Sequence, residues 1–598
     1  MMAVALATSS RVGAAVARAA SAAAIHTPHI RYLAILPVIV MLGGAVLLLA
    51  VASLVRRPLR TTVATAGTVI VSGTAFGLAW WQWADVGSHG PFTAVDHAVV
   101  VDGFSVFVSI LVAAAMLLTA LVGDGYLRRE GVDGPELHVL AMVSAAGAMV
   151  MGEANDLIVV FLGLEILSIA LYVLASFNHR RAASGEAALK YFILGSFSSA
   201  IFVYGIALVY GATGSTNLLQ IADFLSHNVV ADNGLLLAGL TLLLVGFAFK
   251  IAAVPFHMWT PDVYQGSPSP ITGFMAAVAK VGAFAALLRV FVSTFGVLRT
   301  DWQPVVYVLA IATLLVGAGL AVVQRDIKRM LAYSSINHAG FILLGLEAAS
   351  TRGISASLYY LFAYTFMVIG TFAIVTVLGR RGDGAHDIAG YRGLARRQPV
   401  LALCLAVLLL AQAGAPFTTG LWAKLQVVLA VIDANSLPLA VVAMVSAAVA
   451  AFFYLRVAVL MYAPADSDAG ARSMTSKQPL AAAGAPLALA GGDTRWGDIG
   501  RSLAVVDRLN SELLLSGTPT SSAGHTAGGD SSGDGSGEDA AAGDDAAPGA
   551  GDAEAAREHV PVAAVVAIGI CLAVTVVLGI IPAPLVDLAH KATLLFIP

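Results

Sequence analysis

Charge is what this sequence has least of. Only 12% of its 598 residues are Asp, Glu, Lys or Arg, and 59% are hydrophobic; soluble domains carry about 25% charged residues. Mean hydropathy is +0.86. Such a chain belongs in a bilayer, and its length divides into membrane spans rather than globular domains. Cysteine is nearly absent too. Cys404 and Cys571 each stand alone in an apolar run, with no CxxC and no Cys/His cluster. Iron–sulfur, haem-attachment and zinc sites therefore lack ligands here. Neither a Walker A sequence nor a Rossmann glycine fingerprint is present, so neither ATP nor a dinucleotide is an expected ligand of this chain. The net charge of −3 says little about partners, and no nucleic-acid partner is expected.

Long apolar runs are what it has in abundance. A span needs about 20 such residues. Fourteen can be read, at 33–54, 62–83, 104–123, 137–154, 157–177, 185–211, 235–254, 271–295, 304–323, 327–347, 354–379, 400–434, 437–462 and 561–586. The seventh continues as a short broken piece through Tyr264. The twelfth is too long for one straight helix, and "AQAGAPFTTG" predicts a break at Gly414–Pro416. Basic residues crowd one set of loops: Arg56, Arg57, Arg60; Arg128, Arg129; Arg180, Arg181; Arg325, Lys328, Arg329; Arg380, Arg381, Arg392, Arg396, Arg397. Between the first and last spans the alternate set holds Arg299 and Arg352 alone. That asymmetry assigns the first set to the cytoplasm and both termini to the outside.

Two segments stand apart. Residues 1–32 form an Ala-rich extension; its first thirty residues read as a helix on the outer surface, a leader, or a start assigned too early. Residues 464–560 form a cytoplasmic insertion whose "SSAGHTAGGDSSGDGSGEDAAAGDDAAPGAGD" is acidic and of low complexity, so it is expected to be disordered, a tolerated linker. Between them lie three leading spans (33–136) and two units of five (137–295 and 304–462). The last span and C-terminus follow at 561–598. The two units rest on "AAVPFHMW" and "AGAPFTTGLW", which share small–apolar–Pro–Phe followed by Trp and lie five spans apart. An odd number of spans inverts the second unit. The expected fold is all-α and polytopic, with about fourteen transmembrane helices, two inverted five-helix repeats, and helices 7 and 12 broken.

Several ionisable residues lie inside these spans. A charge at the bilayer centre costs at least about 2.5–3.5 kcal/mol. Glu165 is nine residues into its span, about 13 Å deep at 1.5 Å per residue. Lys250 lies just before "VP", Lys280 ten residues into its span, Lys424 about two turns beyond the second break, and His338 mid-span. Glu186 and Lys190 stand four apart and can pair on one helix face. Snorkelling is the reading for Arg289 and Arg456, nearer the span ends, and His338 alone could be a structural, hydrogen-bonded residue. Glu165, Lys250, Lys280 and Lys424 lie too deep to snorkel easily and point to one internal path. Burial disfavours a charged lysine and a nearby carboxylate favours it, so such a lysine can load and unload a proton. Pro255 lacks an N–H and frees carbonyls beside Lys250, which predicts a polar or hydrated break; a plain packing kink is the alternative.

The stretches "FKIAAVPFHMWTPDVYQGSPSPITGFMAAVAKVGAF", "GLEILSIALYVLASF", "ALKYFILGSFSSAIFVYG" and "YSSINHAGFILLG" closely resemble the antiporter-like membrane subunits of respiratory complex I. The resemblance is dense over about 100–460. It implies a proton-translocating subunit of a bacterial cell membrane that partners other membrane subunits of the complex. NADH, FMN, iron–sulfur clusters and quinone would be used in other subunits, with no cofactor in this chain. It also implies that Glu165, Lys250, Lys280 and Lys424 form the translocation axis, supported by Glu186, Lys190, His257, Asp262 and His338. Gln265 departs from the family pattern, which has an acid there, and "FTTGLWAK" is usually richer in Gly and Phe. Within the family, N-type subunits are the nearest likeness. M-type subunits usually carry glutamate at the place of Lys424, and L-type subunits continue into extra spans and a lateral helix, whereas this chain ends twelve residues after its last span. The alternative is a subunit of an Mrp-type cation/proton antiporter. A purely structural anchor is disfavoured by the ionisable axis. Lys250 and Glu165 are expected to act as an electrostatic switch at the broken helix.

Overall fold

A computed structural model describes residues 31–464 and 560–592, apart from 133, 229–232, 381 and 385. Most of the extension and the insertion, and Arg381 of the basic loops, thus lie outside the described residues. Helices occupy every expected span. The leading three are α1 (Leu36–Leu54), α2 (Arg57–His89) and α3 (Gly103–Glu130). An antiparallel hairpin, β1 (Phe92–Ala94) and β2 (Val99–Val101), joins α2 to α3 with Phe92 opposite Val101. Asp102 caps α3 in a capping box with Ser105, which satisfies the first-turn N–H groups.

The first unit of five runs α4 (Glu136–Glu153), α5 (Leu157–Ala175), α6 (Ala182–Thr213), then, after the short amphipathic α7 (Leu218–His227), α8 (Gly234–Ile251) with its continuation α9 (Trp259–Gly266), and α10 (Ser269–Thr294). The second runs α11 (Arg299–Val322), α12 (Ile327–Glu347), α13 (Thr351–Leu378), α14 (Pro399–Ala413) with its continuation α15 (Thr419–Asp433), and α16 (Leu437–Tyr462). The chain's last described helices are α17 (Val562–Ile580) and α18 (Ala583–Lys591). In each unit the fourth member is the broken one. Among the described residues, eleven helices are long and apolar enough to cross a membrane.

Burial sorts these helices. The most apolar stretch of α10 is wholly buried, and α3 and α13 flank it nearly as deeply. An all-round apolar helix at the centre of a bundle is what its sequence dictates. The π-helical turns Met275–Ala279 and Arg289–Thr294 interrupt α10; the first ends directly before Lys280 and the second begins at Arg289. Such turns shift the register of the residues beyond them and cluster at functional positions. By contrast, only 28% of the corresponding stretch of α6 is buried, which leaves one side of that helix on the lateral surface.

The two breaks share a backbone solution. Helix α8 ends with Ala252 in the left-handed region (φ 60°), and α14 ends with Gly414 there (φ 96°). In each, the following N–H reaches back five residues, Ala253 to Ala248 O at 2.8 Å and Ala415 to Leu410 O at 2.9 Å, the closure of a Schellman end. Pro255 and Pro416 then prevent the helix from resuming.

Candidate functional site

Lysine at mid-depth is held differently at each of its three positions. Lys250 is 4% exposed and donates to Ser168 Oγ (2.8 Å, α5) and Tyr191 Oη (3.1 Å, α6). The rings of Tyr172 and Tyr191 lie 6.0 and 5.3 Å from its ammonium, close enough for cation–π attraction. Lys280, also 4% exposed, donates to Ser335 O at 2.5 Å and Ser335 Oγ at 2.7 Å, with the Tyr364 ring 5.0 Å away. Lys424 donates to Ala413 O at 2.7 Å. That carbonyl is one the second break frees. At the first break the corresponding role falls to an indole: Trp259 Nε1 donates to Phe249 O at 3.0 Å. Trp259 thus bonds one carbonyl near the break, Pro255 and Met258 within the break are exposed, and Lys250 donates toward α5 and α6.

Hydroxyl and aromatic groups cluster around these lysines in two places. In one, Trp259 stacks on Tyr191 at 4.5 Å between ring centres and so abuts the Lys250 site. In the other, Tyr264 Oη lies 3.3 Å from Ser335 Oγ, the Lys280 partner. One turn along α12, His338 Nδ1 is 2.7 Å from Tyr360 Oη and its Nε2 is 3.1 Å from Tyr454 Oη. Tyr454 also bonds Ser334 and, at 3.4 Å, Gln412 Oε1. Gln412 stands next to Ala413, whose carbonyl holds Lys424. His338 is thus placed within the row between Lys280 and Lys424. Buried hydroxyls and an imidazole that both donate and accept are what a proton needs to pass between carriers.

Glu165, the expected partner of Lys250 in an electrostatic switch, lies on α5. It accepts from Ser199 Oγ, is half-buried, and makes no ion pair with Lys250. Ser168, one turn along α5, stands where the direct partner would be. Any influence of one charge on the other in this conformation acts over more than contact distance, where the energy falls as 1/r. Glu186 and Lys190 do pair, at 2.7 Å, and Lys190 reaches Asp262 at 3.0 Å. Asp262 in turn pairs with Arg329 at 2.9 Å. The same guanidinium donates to Gln265 Oε1 at 3.1 Å, so the amide at the departed position still supplies an acceptor. His257 lies in the first break, apart from the row, with its buried Nδ1 lacking a hydrogen-bond partner among the described residues.

Arg289 corrects the snorkelling expectation. It is 4% exposed and grips Asp102 with two 2.9 Å bonds and Gly152 O with a third at 3.0 Å. A planar fork matched to a carboxylate makes that burial tolerable. Arg456 fits the expectation, being exposed and donating to Val322 O. A second buried pair gave no sign in the sequence. Lys328, counted among the loop cations, is fully buried and donates to Asp383 Oδ2 at 2.9 Å and Ser267 O at 2.6 Å. Asp383 also takes bonds from Ser269 (2.7 Å), His386 (3.3 Å) and Arg181 (3.5 Å). Burial pushes its carboxyl upward, but the Lys328 charge and the His386 bond outweigh it and hold Asp383 well below the ordinary carboxylate range. No group of three or more His, Cys, Asp or Glu suited to a metal occurs among the described residues.

Residues 154–450 match the family described as NADH:quinone oxidoreductase/Mrp antiporter, transmembrane. The NADH-quinone oxidoreductase subunit N of Acidothermus cellulolyticus is 43% identical over 492 residues, covering 79% of this chain and 94% of that protein. Subunit N of Trichlorobacter lovleyi is 42% identical over 370 residues, 62% of this chain and 76% of that one. This chain belongs to the subunit N family of NADH-quinone oxidoreductases. Among solved structures, a chain of respiratory complex I from Thermus thermophilus with bound aureothin is 32% identical with a TM-score of 0.61, over 72% of this chain and 90% of that one. A chain of the Mrp complex from a Dietzia species shares the fold, with a TM-score of 0.69 at 21% identity over 93% and 97%. The antiporter-like membrane fold and the subunit N relatives agree with what the motifs around Lys250 and Lys280 lead one to expect.

Proposed function

We propose that this chain is the proton-translocating membrane subunit of a bacterial NADH-quinone oxidoreductase, driven by electron transfer from NADH to quinone in other subunits. The observation that carries this reading is the row of buried Lys250, Lys280, His338 and Lys424, each held by uncharged groups. A hydroxyl accepts from an ammonium and can donate to an amine, so Ser168, Tyr191 and Ser335 can serve a lysine in both protonation states. Moving one charge against 100 mV costs about 2.3 kcal/mol. Charges about 4 Å apart at an effective dielectric near 20 interact by about 4 kcal/mol, so a charge brought that close to a carrier supplies the energy of such a step. Glu186, Lys190, Asp262 and Arg329 form the polar approach at the end with the basic loops. His257 is assigned a supporting place at the first break.

The redox centres of the complex — FMN, iron–sulfur clusters and the quinone site — are assigned to other subunits, with none here. The half-buried Glu165 supports a membrane partner: an acid at mid-depth does not face lipid, and the exposed side of α6 beside it supplies a face for another subunit. Fourteen spans, basic loops in the cytoplasm and both termini outside complete the proposal. The shared Mrp fold is separated by function. The intact protein, tagged and extracted in mild detergent, should co-purify with subunits that oxidise NADH. In vesicles, Lys280→Ala should reduce NADH-driven proton transfer by at least about tenfold, a barrier of about 1.4 kcal/mol, with the complex still assembled. Co-purification with small antiporter subunits alone, or sodium-linked exchange without NADH, would assign the chain to the other class.

A further inference from the structure

A cleft opens where three helix ends meet at the basic end of the bundle. Its volume is about 380 Å³, and its walls come from α3, the end of α13 with Gly379 and Arg380, and the start of α17. Close approach makes the cleft: a Cβ on Gly125 would come 2.8 Å from the Pro561 ring, so α17 enters against bare backbone. The lining is of two kinds. Val122, Val377 and Ala564 are apolar, while Arg129 and Arg380 bring guanidinium groups and Tyr126 a ring.

Arg129 is fixed at several points. Its Nη1 donates to Thr376 O, its Nε to Glu130 Oε1 at 3.4 Å, and its guanidinium carbon sits 5.6 Å from the Tyr126 ring centre. Nη2 is left over: it is buried and has no hydrogen-bond partner among the described residues. A cation near the end of α13 complements that helix's terminal carbonyls, which accounts for Nη1 but leaves Nη2 unexplained. A buried donor without a partner is unfavourable, because it has lost its water without gaining an acceptor. Among the described residues no carboxylate lines the cleft; behind it Glu130 pairs with Arg129 Nε through Oε1 and takes the Gly382 N–H at 2.9 Å with Oε2. Arg380 is exposed beside it.

The geometry points to a binding site for the phosphate of an anionic phospholipid, with the Arg129 and Arg380 guanidiniums on the phosphate and an acyl chain against Val377 and Ala564. Three features select this chemistry. The cations are guanidiniums, which match phosphate oxygens. The cleft lies at the level of the helix ends, where headgroups are. Its apolar wall suits a chain that a soluble phosphate lacks. Basic pockets between transmembrane helices on the cytoplasmic side bind such headgroups.

The test is photo-crosslinking in native membranes with the full chain. A benzophenone amino acid replacing Val377 should capture phosphatidylglycerol or cardiolipin in excess over their share of the bilayer. Arg380→Gln, at an exposed side chain, should cut that capture about tenfold, the effect of losing about 1.4 kcal/mol, and leave zwitterionic lipid capture unchanged. Arg129→Lys keeps the charge and removes the fork, so it should cut it as well. Capture in proportion to bulk lipid, no change in Arg380→Gln, or crosslinking to a protein segment would each overturn the assignment. So would loss of the adduct on adding inorganic phosphate, which would reassign the site to a soluble anion.

Discussion

At the scale of single residues, buried basic groups divide by their partners. Lys250, Lys280 and Lys424 donate to hydroxyl and carbonyl oxygens, and such partners accept a lysine in either protonation state. Lys328 and Arg289 instead face carboxylates, Asp383 and Asp102, and are fixed as cations. Asp383→Asn should therefore act on stability. It leaves Lys328 buried without its counter-charge, a loss of about 3–5 kcal/mol, read as a lower melting temperature of the purified complex at pH 7. The sign with pH comes from the depressed carboxyl. Its stabilisation is full above the unfolded value near 3.9 and declines as pH falls from there toward the lower folded value. The gap between wild type and Asp383→Asn should hold from pH 8 to about 5 and shrink only below about 4. A gap that closed near pH 6.5 would place the titrating group elsewhere. What is legible in the sequence at this scale is the charges: a lysine in an apolar run is visible. Its partners are not, because hydroxyls in membrane helices commonly bond their own preceding turn, as Thr365 does to Leu361 O. Nothing local separates Ser335 from Thr365. Arg289 reads as a snorkelling residue because Asp102, its partner, lies 187 residues away.

At the scale of elements, the two breaks are alike in backbone and unlike in chemistry. Both bend through a left-handed residue, Ala252 or Gly414. Trp259 takes a carbonyl at the first, and Lys424 takes one at the second. The prolines and small residues announce both breaks in the sequence. Which group caps them depends on how α9 and α15 fold back, which no local pattern records; the π-helical turns beside Lys280 and Arg289 are equally silent. Gly414→Val should impair the second break doubly. It forces a branched residue to φ 96°, and its Cβ would come 3.2 Å from Lys424 Cδ. Strain of this kind costs about 1–3 kcal/mol, and pumping should fall further than assembly, because the lysine is displaced. Ala252→Gly relieves the left-handed position and should leave both intact or slightly improved. Equal loss of assembly and pumping in Gly414→Val would mean that the break is merely a packing kink.

At the scale of the whole molecule, α10, which carries Lys280 and whose most apolar stretch is wholly buried, lies at the centre of the bundle, flanked by α3 and α13. The apolar runs make the helices legible, and the repeated "PF" motifs make the two breaks legible. The lateral exposure of Glu165 is not, because a sequence places a residue at a depth and not on a side of the bundle. Residues 515–555 are expected from composition to be dispensable; deleting them should leave assembly and proton transfer nearly unchanged, and a large loss of either would mean that the insertion binds something. The central claim is that the buried lysines carry protons by changing charge. Lys250→Arg tests it most directly, since arginine keeps the positive charge and cannot release a proton. NADH-driven acidification in membrane vesicles, normalised to assembled complex and to the rate of NADH oxidation, should fall by at least about tenfold, equivalent to about 1.4 kcal/mol, with Lys250→Ala no more severe. Full acidification by Lys250→Arg would show that a fixed charge suffices at this position and would contradict the protonation account.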